Sequence, residues 1–185
     1  MEKSVIGFIS YKILNYILEK YTTKKLAMNY TALIHATSAS MVWIFGTPYI
    51  AITNTGGYFL FDIYYLLKNR KLNLMNSLYY YHHIAGLYYM SLSPVKYNWF
   101  NAIGVGELSN IPNYFVYHYL KTDPAGEKLK RWKLVQKIWY GCHRIIGASI
   151  LTYYEVNHPE RFWKVLPVLP LYGFGLLWAG FMITQ

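Results

Sequence analysis

Apolar residues fall in long runs separated by short polar loops, and the lengths of these runs predict helices that cross a membrane. The run from Met28 to Ile52 contains no charged residue. Further runs follow near Gly57 to Leu67, Leu74 to Leu92, Tyr97 to Leu120, Leu134 to Tyr154 and Phe162 to Ile183. A bilayer core of about 30 Å takes roughly 20 helical residues. Five of these runs reach that length. The second reaches it only when the residues from Ala51 are included. Pro48, Pro94, Pro112, Pro159, Pro167 and Pro170 fall near the ends of spans or inside them. Neighbouring helices in lipid tolerate such kinks.

Residues 4–19 form a separate pattern. Val5, Ile6, Phe8, Ile9, Ile13, Leu14, Ile17 and Leu18 recur at helical spacing, with Lys12 and Asn15 among them. The stretch is short for a full crossing and reads as an interfacial helix. A seventh, tilted crossing is the alternative, and it would move the N-terminus to the other side. The expected fold class is all-α: a polytopic bundle of about six transmembrane helices around a central lipid cavity, preceded by a short interfacial helix. The expected domains are residues 1–24, interfacial helix and basic linker, and 25–185, one transmembrane domain.

Charge orients the spans. Lys20, Lys24 and Lys25 precede the first. Lys68, Arg70 and Lys71 follow the second, and Lys121, Lys128, Lys130, Arg131 and Lys133 follow the fourth. The alternate loops hold Lys96 alone, or Arg161 and Lys164 offset by Glu155 and Glu160. Cytoplasmic loops carry the excess of Lys and Arg. The pattern predicts six crossings with both termini cytosolic. The first 19 residues carry Lys12 and Glu19 and lack the pattern of a cleaved signal peptide, so the internal helices are expected to direct insertion.

Composition agrees with this pattern. Charged residues make up 14% of the chain, against roughly 25% in soluble domains. Aromatics reach 19%, including 21 tyrosines and 6 tryptophans, which suit membrane interfaces. The net charge of +10 lies in loops and not on one polar face. It therefore points to anionic lipid headgroups and away from nucleic acid. Cys142 is the single cysteine, which excludes an internal disulfide; it is expected to be inert packing.

Ionisable side chains at membrane depth are costly, which makes them functional candidates. They are His35, Asp62, His82, His83, Glu107, His143 and Arg144, with the amides Asn110 and Asn113 beside them. His82 and His83 are mid-span. Adjacent helical positions differ by about 100°, so one can face a cavity while the other meets a neighbouring helix. Neutral imidazole can take a proton, act as nucleophile or bind metal. The plainer account is interhelical hydrogen bonding. With six histidines and one adjacent pair, no metal site is expected. Glu107 needs protonation or a partner. Arg144 is the natural one and Asp62 competes with it; a purely structural ion pair is the plainer reading. His35 can equally be a hydrogen-bonded core histidine.

The order of these residues resembles the TLC domain. Asn29 to His35, Phe61-Asp62, His82-His83, Glu107-Leu108-Ser109-Asn110 before Pro112, and then Arg144 carry the likeness across residues 25–183. The family includes ceramide synthases, translocation-associated membrane proteins and ceroid-lipofuscinosis proteins. The resemblance implies a helical bundle around a lipid-facing cavity in the endoplasmic reticulum or a related endomembrane. It also implies that His82 and His83 take the place of the synthases' acyl-transfer histidines. Synthases carry two aspartates shortly after the pair, whereas this chain continues Ile84-Ala85-Gly86-Leu87-Tyr88-Tyr89. The shorter, non-synthase branch is the nearer match.

Three functions follow as expectations. The first is lipid acyl transfer, with His82 and His83 catalytic, fatty acyl-CoA as co-substrate and no bound cofactor. His35, Asp62, Glu107, Asn110, Asn113 and Arg144 would then line the lipid site. The second is a non-catalytic lipid sensor or trafficking receptor. The third is a carrier or channel using Asp62, Glu107 and Arg144 as a relay. The expected partners are membrane lipids.

Overall fold

The computed structural model describes residues 2–69, 73–93 and 97–184. Every element among them is helical. The helices are α1 (Glu2–Glu19), α2 (Lys24–Phe45), α3 (Pro48–Ala51), α4 (Gly57–Asn69), α5 (Leu74–Ser91), α6 (Trp99–Thr122), α7 (Glu127–Gly141), α8 (Ala148–Val156), α9 (Pro159–Val165) and α10 (Leu169–Thr184). Two π-helical turns, Ile52–Gly56 and Cys142–Gly147, join α3 to α4 and α7 to α8 without a break.

The first span ends earlier than its apolar run. Thr47 precedes a proline, which disfavours helical geometry, and its backbone is extended. Pro48 then opens α3, where its missing N–H costs nothing. The short second span thereby gains α3 and the π turn and becomes one continuous helical stretch. The sixth span is broken. Pro159–Val165 and Leu169–Gly180 are bent by 73° at residues 166–168, beside Pro167 and Pro170. No single helix among the described residues is long and apolar enough to cross a membrane; this bent pair reaches that length and apolarity only when its two parts are taken together. The loop residues Arg70, Lys71, Pro94 and Lys96 lie outside the described residues.

Contacts set the packing directions. Asn29 Nδ2 donates to the Tyr114 carbonyl at 3.0 Å, Tyr30 meets His118 at 2.8 Å, and Trp43 donates to Asn101 at 3.1 Å. Numbers rise on α2 as they fall on α6, so the two are antiparallel. A methyl group on Gly104 would lie 2.1 Å from the Trp43 ring, so glycine is required for this approach. Gly106 is not packed in this way, since its methyl would meet Arg144 at 3.8 Å, an ordinary contact.

The N-terminal helix is not set apart. Ser4 donates to the Ile52 carbonyl at 3.1 Å, and Thr31 donates to Asn15 at 3.2 Å. A methyl on Gly7 would fall 2.0 Å from the Thr53 carbonyl oxygen, so the backbones of α1 and the first π turn touch. α1 therefore runs the height of the bundle, antiparallel to α2 and parallel to α4. Its inward face is the polar one, with Ser4, Tyr11 and Asn15 buried. Its apolar face, with Ile6, Ile9, Ile13 and Ile17, is exposed.

Pro112 lies inside α6. It cannot donate to the carbonyl four residues back, which belongs to Leu108. Trp139 of α7 supplies the missing donor, its indole N–H lying 2.9 Å from that oxygen.

Candidate functional site

Two carboxylate–histidine pairs are buried where α2, α4, α5 and α6 meet. Asp62, on α4, places Oδ2 2.6 Å from Nε2 of His83 on α5. Glu107, on α6, places Oε1 3.4 Å from Nε2 of His35 on α2. Aromatic rings lie between the pairs. Tyr58 stacks on His35 at 3.9 Å with planes 7° apart, and its ring is 6.2 Å from that of His83. Phe59 lies 4.7 Å from His83. These rings surround both pairs with apolar surface, where a polar contact is stronger than in water.

The two histidines differ in what their second nitrogen meets. Nδ1 of His35 lies 3.3 Å from the Tyr11 hydroxyl. That hydroxyl also bonds Ser38 at 3.3 Å and donates to Asn54, which the first π turn carries into the core. Nδ1 of His35 is thus held by the Tyr11 network, while its Nε2 faces Glu107 at 3.4 Å without a hydrogen bond. Nδ1 of His83 is buried without a hydrogen-bond partner. An ionised carboxylate only accepts, so Asp62 draws the ring proton to Nε2 and leaves the lone pair on Nδ1. The plainer function for both pairs is to tie helices together.

His82 takes the adjacent direction, as helical spacing requires. It is half-buried, its ring 5.2 Å from His83 and edge-on to it. Arg144 does not pair with Glu107. The second π turn directs its guanidinium to the Gly106 carbonyl and to Asn110 Oδ1, both at 3.3 Å, and over the Tyr140 ring at 5.2 Å. Asn113 meets Asn110 at 3.5 Å and accepts from Gln136 at 2.9 Å. Of the sequence candidates, His35, Asp62, His83 and Glu107 come together in the core, with His82 beside them. Arg144, Asn110 and Asn113 instead form a polar seam between α6 and the α7 stretch.

His143 lies half-buried against Trp139, with Nδ1 2.8 Å from the Trp139 carbonyl. Cys142 is exposed, so it does not pack inside the bundle. No three His, Cys, Asp or Glu side chains gather as a metal site among the described residues.

Glu155 was read as a loop charge, but it is fully buried in α8. It accepts from the Tyr89 hydroxyl at 2.8 Å and from the Asn98 backbone N–H, at the start of α6, at 2.7 Å. A carboxylate suits that helix end. Tyr11, Asn54 and Tyr58 were also missed. A stripe of Ser4, Tyr11 and Asn15 at helical spacing was the available signal for α1; the apolar stripe drew attention to the wrong face. Searches against protein-family models, curated proteins and solved structures gave no match to this chain.

Proposed function

We propose that this chain is a multi-pass endomembrane protein of lipid metabolism that transfers a fatty acyl group from acyl-CoA to a lipid, with His83 as general base. The observation that supports it most is the Asp62–His83 pair, because Nδ1 is left buried and unbonded. A carboxylate that orients imidazole and stabilises its protonated form is the arrangement general-base catalysis needs. In the proposed step, the acceptor's O–H or N–H proton passes to Nδ1 as its heavy atom adds to the thioester carbonyl. The C–S bond then breaks, and the imidazolium returns the proton to the departing thiolate. Asp62 is a positioning residue. His82 is half-buried next to His83, its ring 6.1 Å from that of Phe59.

The topology belongs to the same reading. α1 packs along α2 and α4 over their height, which favours seven crossings over six, with the N-terminus lumenal and the C-terminus cytosolic. The order of His35, Asp62, His82-His83, Glu107 and Arg144 carries the resemblance to the TLC family on its own. The decisive assay is acyl-CoA consumption by the purified protein with mixed lipid acceptors. Wild-type turnover that persists in the His82→Ala/His83→Ala double variant would remove the histidines from the mechanism.

A non-catalytic lipid-binding role is the second reading. The seating of His35 between the stacked Tyr58 ring and the Tyr11 hydroxyl favours it, since these contacts give that histidine a packing role. Co-purified lipid with no acyl transfer to any acceptor would select it.

A further inference from the structure

A shallow cleft of about 140 Å³ lies between α1 and α4, at the end of the bundle where Lys24 begins α2. Three ammonium groups border it: Lys12 from α1, Lys68 from the last turn of α4, and Lys24. Lys12 and Lys68 both stand over the ring of Tyr64, at 5.2 and 5.8 Å from its centre. Lys24 reaches Asn69 at 2.5 Å and lies 5.9 Å from the Tyr65 ring. Both ammonium groups lie within reach of one ring at the cleft, so a single bound anion there would be drawn by both. The carboxylate on the cleft wall, Glu19, is turned to Asn15 at 2.7 Å, and the ion pairs among the described residues involve none of these lysines.

The helical wheel of α1 shows what kind of anion fits. Residues 12, 15, 16 and 19 share the cleft face. The next face round, through Ile9, Ile13 and Ile17, is apolar and about half exposed. Tyr16 lies on the boundary and is 61% exposed. A cationic recess opening onto an apolar stripe matches a molecule with a phosphate head and acyl chains. A soluble anion would use the recess alone and leave the stripe to bulk lipid.

We infer that the cleft binds the phosphate of a phospholipid headgroup, with the acyl chains lying along the outer face of α1. Ammonium groups on flexible stems hold phosphate as point charges, and Lys12 reaches the headgroup level by extending along α4. This rests on the membrane reading above, but not on acyl transfer.

The test uses detergent-purified full-length protein and native mass spectrometry, with phosphatidic acid, and with diacylglycerol of the same chains. Neutralising the cleft by Lys12→Gln/Lys24→Gln/Lys68→Gln should weaken phosphatidic acid binding about tenfold or more. The charge-matched variant Lys121→Gln/Lys128→Gln/Lys133→Gln should leave it unchanged, and diacylglycerol should not be retained. Glu19→Gln, which keeps every lysine, should tighten binding. Equal retention by the first variant, equal loss in the second, or no gain from Glu19→Gln would overturn the inference. So would displacement of phosphatidic acid by equimolar inorganic phosphate or coenzyme A, which would make the cleft a soluble-anion site. Resistance of the protein to carbonate extraction reads the membrane assignment separately from all of these.

Discussion

Asp62 and His83 meet at 2.6 Å across the α4–α5 contact, and the imidazole nitrogen facing away from the carboxylate is buried with nothing bonded to it. Asp62→Asn keeps the size of the side chain but presents an amide that can donate. It should lower acyl-transfer kcat by about 10²–10⁴-fold and change KM little. His83→Ala should cause a similar loss, and the double variant little more. Steady-state kinetics on the three proteins checks this. Multiplying losses would mean that the two residues act independently.

The Glu107–His35 pair predicts an asymmetry in stability. His35→Leu strands a buried carboxylate and should cost about 3–5 kcal/mol. The double variant His35→Leu/Glu107→Leu should recover most of that loss. Thermal unfolding in detergent compares them; a double variant as unstable as the single would show that the pair contributes through shape.

Pro112 and Trp139 form a second couple. Trp139→Phe removes the N–H that serves the Leu108 carbonyl and should destabilise the protein by about 1–2 kcal/mol. In a Pro112→Ala background the helix supplies its own donor, so the same change should cost much less. A double-mutant cycle on unfolding midpoints measures the coupling, and additive effects would separate the indole from the proline.

The packing of α1 makes a statement about sidedness. An epitope at the N-terminus should be protected from protease in sealed microsomes, while one at the C-terminus is digested. Digestion of both would return α1 to the membrane surface.

Glu155 should matter to folding more than its sequence context suggests. Glu155→Ala leaves the Tyr89 hydroxyl and the Asn98 N–H without their acceptor, and should cost about 1–3 kcal/mol. Tyr89→Phe alone should cost less, because the bond to the start of α6 survives. Unfolding midpoints again decide, and an unchanged Glu155→Ala protein would remove the carboxylate as an anchor.

The helical content is legible in apolar run length, and four of the core's ionisable groups in their rarity within apolar runs. Partner choice was harder to read. Glu107 was matched to Arg144 on charge alone, yet helix directions bring His35 of α2 opposite it. The end of the first span was misplaced because Thr47-Pro48 sits in an uncharged run, where hydropathy shows no boundary. Glu155 was read as a loop residue because it lies close to Glu160, Arg161 and Lys164. The apolar stripe of α1 suggests an inward face, yet it is the exposed one, and the polar stripe packs inward. The break at Thr47-Pro48 is local backbone chemistry; the others depend on which helix neighbours which.

The π turn at Ile52–Gly56 has a consequence for the geometry of the core. A π turn holds one more residue than the α-helical turn it replaces, so it sets the rotational phase between everything before it and everything after. Removing a single residue there would give a smoother helix and a worse protein. The screw would turn by about 100° per residue lost, and Asp62, six residues downstream of the turn, would swing away from the imidazole it now orients.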